Sequence, residues 1–270
     1  MEVLEKIIYY RSRKDEFHIY PMGDEHLGTK HCAEGELVKQ IKVIKEDEKA
    51  LWIGIGDKAE FITPSDPRWD VGVISDWVSQ DNIAEDQTAR YCDIYMPIAD
   101  KCLGLLEGNH EDAIRRHSHI DVQKNICNRL GVNNLGYSCF VKLVFRRGRQ
   151  RLQNESFVVT CFFTHGSGWA ITKGAKLNRL QRLMDAFEAD IYGTGHMHDI
   201  ITDTKPYLML DGSNKIRQRE KVGAVTGCWF KTYTQGVRAS YGEKRNYPPS
   251  SIGAPTFTII PNKQVIFVTA

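Results

Sequence analysis

The sequence lacks any apolar run approaching the roughly 18 residues needed to cross a bilayer as a helix. Its opening stretch, MEVLEKIIYYRSRKDE, carries charges where a secretory signal is apolar. It also lacks paired cysteines. Cys32, Cys92, Cys102, Cys127, Cys139, Cys161 and Cys228 are scattered without a C-x-x-C pair. Such an odd, unpatterned set argues against a disulfide framework and against a zinc–thiolate site. Cys161 within Phe157–Phe163 has the setting of a small buried side chain. The expectation is reduced thiols and a cytoplasmic location with no membrane partner. Charge of one sign is scarce as well. Lysine and arginine number 36 against 34 acids, a net charge of +2, so bulk charge does not mark a nucleic-acid partner. Repeats, low-complexity stretches and a dividing linker are all missing. A single domain over 1–270 is expected, long enough to bury a core without staples.

What is present is an alternation of helical and strand-like segments. Phe17–Met22 reads as a strand, Glu34–Lys49 as a helix with Leu37, Val38, Ile41 and Ile44 at helical spacing, and Leu51–Ile55 as a buried strand. Strand–helix–strand begins an α/β sheet. Residues 61–100 are less regular: a Pro64–Pro67 turn, then helices expected at Val71–Val78 and Ala84–Tyr95. This segment has the composition of a cap or insertion. Lys101–Leu106 predicts a strand and Ile120–Leu130 a helix closed by Gly131. Ser138–Phe145 and Ser156–Phe163 predict a hairpin. Lys176–Ala189 predicts an amphipathic helix and Asp190–Tyr192 a short strand. Tyr207–Leu210, Ala224–Thr234, Thr256–Ile260 and Gln264–Val268 predict further strands. The run Lys215–Lys221 reads as a polar loop, and Trp52, Trp69, Trp77 and Trp229 as packing residues.

Five short motifs stand where an apolar run gives way to glycine: Gly23-Asp24-Glu25-His26, Gly56-Asp57, Gly108-Asn109-His110-Glu111, His165-Gly166 and Gly195-His196-Met197-His198. Strand ends in an open α/β sheet deliver side chains to a common crevice. Carboxylates and neutral imidazoles suit Mn, Fe or Zn. An aspartate such as Asp57 has two oxygens with which to bridge two cations. Any one of these histidines alone would be ordinary. Five of nine falling on ordered, glycine-flanked motifs is not a chance arrangement. Glu111 is open to two readings, a group orienting a ligand or a solvated first helical turn.

The motif set resembles the calcineurin-like metallophosphoesterases in pattern and order: D-x-H, G-D, G-N-H-[DE], a lone histidine and G-H-x-H, spanning residues 23 to 198. The resemblance implies a four-layer α/β/β/α sandwich of two mixed β-sheets flanked by helices. It implies that Asp24, His26, Asp57 and His198 hold one metal, and that Asp57, Asn109, His165 and His196 hold a second. It implies that His110 contacts the scissile phosphate and protonates the leaving oxygen. Two divalent cations, Mn²⁺ foremost with Fe or Zn as alternatives, would activate water for attack on phosphorus. The family often continues G-D-x-x-[DN]. Here Glu60 stands at that last position, which puts the supporting geometry in question and not metal binding.

Residues 141–182 carry Lys142, Arg146, Arg147, Arg149, Arg151, Lys173, Lys176, Arg179 and Arg182 against the single acid Glu155. This is either a solvated hairpin tip and helix face or a basic strip tracking a nucleic-acid backbone. On the second reading Lys173, Lys176, Arg147 and Arg149 contact substrate, and Trp169 stacks on a base. The expected function is phosphodiester hydrolysis on nucleic acid (DNA or RNA) or a nucleotide. A phosphomonoesterase or protein phosphatase is the first alternative, and a non-catalytic scaffold of the same fold the second.

Overall fold

A computed structural model describes residues 1–66, 68–148, 156–168 and 170–270. Eleven strands form two mixed sheets. The first sheet is ordered β1 (Glu2–Tyr10), β5 (Ser138–Arg147), β6 (Ser156–Thr164), β7 (Ile191–Thr194), β9 (Ile216–Thr226) and β8 (Ile200–Leu210). The second is ordered β11 (Val265–Thr269), β10 (Thr256–Ile260), β2 (Phe17–Met22), β3 (Ala50–Gly54) and β4 (Cys102–Leu105).

The sheets pack face to face. Ile19, Leu51, Ile53, Leu103 and Phe257 of one meet Val141, Phe145, Val159, Phe163 and Ala224 of the other in a buried core. The second sheet's outer face carries Tyr20, Met22 and Trp52. It is covered by α1 (Glu34–Glu46), α2 (Ile83–Tyr95) and α4 (Val122–Leu130). The first sheet's outer face is covered by α5 (Lys173–Ala186) through Phe162, Leu180, Met184 and Tyr192. The result is a two-sheet α/β sandwich with helices outside both sheets. Strand β3 is buried along its whole length, as a strand covered on both faces must be, which is why its sequence does not alternate.

Several segments differ from expectation. Strand β1 pairs in parallel with β5. Its Glu5 and Lys6 interrupt the apolar alternation that would have marked it. The run Lys215–Lys221 is not a loop: residues 216–221 form the exposed half of β9, paired with Lys205–Leu210. A two-stranded arm needs no apolar core-facing pattern at its tip. Val38 is 48% exposed, so α1 buries only Leu37, Ile41 and Ile44. The expected helix at Val71–Val78 is a single 3-10 turn, Val71–Val73. The proposed cap over 61–100 therefore divides. Its second half, α2, joins the helical layer, with Tyr91 and Tyr95 stacked and wholly buried beside Trp52. Its first half runs across the strand ends. Among the described residues no helix is long and apolar enough to cross a membrane.

Candidate metal centre

Strands β2, β3 and β4 are mutually parallel, and so are β6 and β7. All five motifs follow the C-terminal ends of these strands. The turns are laced together by backbone bonds: Asp24 N donates to Gly56 O at 2.9 Å, His26 N to Asp57 O at 3.1 Å and Gly195 N to Thr164 O at 3.3 Å. The glycines permit this approach. A Cβ on Gly108 would lie 2.3 Å from Asp57 N, and one on Gly56, already at φ +101°, would lie 2.7 Å from Gly108. Asp24, His26, Asp57, His196 and His198 all adopt positive φ, between 49° and 68°. Such backbone is sparsely populated outside glycine and clusters at functional sites.

Three side-chain groups result: Asp24, His26 and His198; Asp57, His165 and His196; and His26, Glu60 and His110. In each group the candidate ligand atoms lie within 4.8 Å of one another. The hydrogen bonds define which lone pairs face inward. His165 Nδ1 lies 2.9 Å from the Ile55 carbonyl and must donate to it. That leaves the Nε2 lone pair of the neutral ring facing Asn109 Oδ1 at 3.1 Å and Asp57 Oδ2 at 3.3 Å. With the ring neutral and the amide oxygen inward, three electron-rich atoms converge there, an arrangement that a shared cation would satisfy.

The other half of the site repeats the pattern. Glu60 Oε2 accepts from His26 Nδ1 at 2.9 Å. Desolvation works against that carboxyl's ionisation, but the His26 hydrogen bond and the charge of His110 draw its pKa down to about 2. The Nε2 of His26 therefore presents a lone pair, 3.1 Å from His198 Nε2. Asp24 is wholly buried. Its Oδ2 accepts from His196 N at 2.8 Å, whereas no donor is directed at Oδ1. His198 Nε2 lies 3.3 Å from that oxygen. Burial opposes the ionisation of Asp24, and the neighbouring His198 imidazole restores it, leaving the pKa lowered. Burial disfavours a proton on His165, but Asp57 prevails and raises its pKa to about 9. The pocket calls for positive charge. Burial and the neighbouring His165 keep His196 neutral, as a ligand must be. The donor set fits divalent cations of the Mn, Fe or Zn kind.

His110 opens α3 (Asn109–Ser118). Its backbone N donates to Asp57 Oδ1 at 2.9 Å and its Nδ1 to the Glu60 carbonyl at 2.5 Å, so Nε2 points away from both, 3.4 Å from Arg68 Nη1. Burial opposes its proton, yet the charges of Asp57 and Glu60 raise its pKa. Glu111 is no solvated residue. It is 1% exposed and accepts from Gly108 N at 2.7 Å, Lys58 N at 2.8 Å and Asp57 N at 3.0 Å. Wholly buried Lys58 lies 3.6 Å from it.

A cavity of about 920 Å³ opens from these residues. Of the basic candidates, Lys176 lines it but is buried and paired with Asp199 at 3.3 Å. Lys173 is exposed at the start of α5 and does not line it. Arg147 is not brought to the site. The register pairs Ser138 with Thr164, beside His165, and Arg146 with Ser156. Arg147 thus lies at the opposite end of the sheet, roughly 30 Å away at the usual rise per residue. There its Nη1 binds Asn262 at 2.7 Å. Arg149, Arg151, Glu155, Pro67 and Trp169 lie outside the described residues. Arg68 and Phe230 were not singled out as functional from the sequence, and Glu60 only as the departure at a supporting position. The Phe230 ring packs 5.2 Å from His26 and 5.8 Å from His198.

No protein-family model and no curated protein matches the sequence. Among solved structures, the chain is similar to a conserved uncharacterized protein, a predicted phosphoesterase, from Streptococcus pneumoniae TIGR4. The identity is 11% and the TM-score 0.32, with 91% of this chain and 83% of that one covered. A TM-score that low supports no inference about activity.

Proposed function

We propose that the protein is a phosphoesterase working with two divalent cations, Mn²⁺ foremost, and that it cleaves phosphodiesters. The observation that carries this reading is the convergence of Asn109 Oδ1 and Asp57 Oδ2 on His165 Nε2, at 3.1 and 3.3 Å. Asp24, His26 and His198 would hold one cation, and Asn109, His165 and His196 the other. Asp57, whose Oδ2 lies 3.3 Å from His165, would touch both. When bound, such cations polarise a phosphoryl group and acidify water. The order of the five motifs, which resembles the calcineurin-like metallophosphoesterases, agrees with this assignment.

The chain's own contribution centres on His110. Its Nδ1–H is committed to the Glu60 carbonyl, which leaves Nε2 facing the cavity and Arg68. Nε2 is therefore the nitrogen through which His110 would exchange a proton with a departing alkoxide. Arg68, beside that nitrogen, supplies a donor for a phosphoryl oxygen. Among the cavity's cations, Arg68 faces Asp66, Lys176 faces Asp199 and Lys244 faces Asp70, whereas Arg245 lies over the Tyr241 ring. The choice between diester and monoester is put to a direct test. The test is turnover of bis-(p-nitrophenyl) phosphate against p-nitrophenyl phosphate with Mn²⁺. The diester is expected to be cleaved faster. Cleavage of the monoester alone would make the protein a phosphomonoesterase, and cleavage of neither a scaffold.

A further inference from the structure

The cavity is far larger than a phosphate needs. About 920 Å³ lies at the upper end of the range that encloses a drug-sized ligand. Its lining holds His26, Asp57, Asn109 and His110, and beyond these residues includes Trp69, Tyr241, Tyr247, Pro248 and Arg245. These come from two distant segments, the first half of the 61–100 region and the chain around α6 (Tyr241–Lys244). Asp70 ties the two together through Arg238 at 3.1 Å and Lys244 at 3.3 Å. The first segment is also anchored below, since Val73 O accepts from Lys30 N at 2.7 Å and Thr29 Oγ1 at 3.1 Å. The walls are therefore held in place before any ligand arrives.

The lining chemistry is aromatic and cationic. The Arg245 guanidinium lies 5.0 Å from the Tyr241 ring centroid, and the Tyr247 ring stands edge-on to Tyr241 at 6.2 Å. The Phe230 ring links this region to the centre, 5.2 Å from His26 on one side and 5.6 Å from His31 on the other. His31 lines the cavity and is 1% exposed. Its Nδ1 meets Thr234 Oγ1 at 3.0 Å, and the Arg238 backbone also interacts with the ring.

Resting on the phosphoesterase reading, we propose that this cavity seats the group esterified to the phosphate, and that this group is a nucleoside-type ring system stacked on the aromatic walls that include Trp69 and Tyr247. The substrate class is then a small nucleoside phosphoester, not a long polynucleotide tracked along its backbone. Stacking on aromatic side chains tolerates every base, because each presents a π-face.

The test is calorimetric binding of thymidine 5′-monophosphate, ribose 5-phosphate and inorganic phosphate, with and without Mn²⁺. Thymidine monophosphate should bind at least about tenfold more tightly than ribose 5-phosphate, the effect of one stacked base. Trp69→Ala and Tyr247→Ala should each remove most of that gap and leave ribose 5-phosphate affinity unchanged. Equal affinity for the nucleotide and the sugar phosphate overturns the proposal. So does loss of all three probes together in both variants, or an oligothymidylate that binds tenfold tighter than the mononucleotide. The two readings fail separately. Ring preference without any Mn²⁺-dependent hydrolysis sinks the hydrolase and keeps the seat; hydrolysis without ring preference does the reverse.

Discussion

Five of the proposed ligands sit in left-handed backbone, and this strain sets the character of the centre. A non-glycine residue there is disfavoured by about 1 kcal/mol or more. Ordinarily glycine weakens a structure relative to alanine, because it loses more chain entropy on folding. At His198, with φ 49°, the order should invert. In urea unfolding without metal, His198→Gly is expected to be more stable than His198→Ala by about 0.5–1 kcal/mol. The usual order would show that the φ is not strained. His110 makes a different prediction. Its Nε2 binds neither Asp57 nor Glu60, so His110→Ala should keep both cations yet slow turnover by roughly 10²–10⁴. Metal analysis and kcat on one preparation check it, and an unchanged kcat removes His110 from the chemistry. The ligand-type residues were legible because each sits in a short local motif. Arg68 and Phe230 were not, and Glu60 was visible only as a departure from the motif, because their contacts arise from folding. Glu60 meets His26 across 34 positions, and Arg68 meets His110 across 42. The departure at Glu60 leaves the support of His26 intact, since the longer side chain still reaches Nδ1 at 2.9 Å.

Strand ends bring the five turns together, but a buried ion pair fixes their spacing. Lys58 Nζ donates to Leu106 O and Gln123 Oε1, both at 2.7 Å, and stands beside Glu111, which gathers three backbone N–H groups from the β3 and β4 turns. Lys58→Met would leave Glu111 as an uncompensated buried charge. Breaking such a pair destabilises by about 3–5 kcal/mol. The midpoint of urea unfolding should fall accordingly. Because the two residues are coupled, Lys58→Met with Glu111→Gln should cost less than the separate losses added together; simple additivity would dissolve the pair. This network also explains why Glu111 was ambiguous in sequence. It occupies the first turn of a helix, where acids are common, and only the fold reveals what it accepts. The apolar strands β2, β3, β6 and β10 were legible because both faces or one full face are buried. Strand β1 and the outer half of β9 were not, since exposed edges and arms carry no such pattern.

The candidate centre draws Asp24, His26, Asp57 and Asn109 from one sheet and His165, His196 and His198 from the other. Cations held there would join the two sheets across their common edge, so binding and folding are linked. A ligand that binds only the folded state stabilises it by about 2.7 kcal/mol at a hundred times its Kd. For a chain of this size that corresponds to a rise in Tm of roughly 5 °C or more per site. Scanning calorimetry should therefore show a higher Tm in Mn²⁺ than in chelator. The size of the rise should depend on which ligand is removed. Asn109→Ala takes one donor from one cation and should keep part of the shift. Asp57→Ala removes the carboxylate assigned to both and should abolish it, with loss of both metals by elemental analysis. Dinuclear occupancy retained in Asp57→Ala would refute the bridge. An identical Tm with and without Mn²⁺ in the unmodified protein would mean that the two sheets are not joined through a metal at all. The polar atoms around His165 would then be satisfied without a cation, by a proton on Nε2 shared with Asp57.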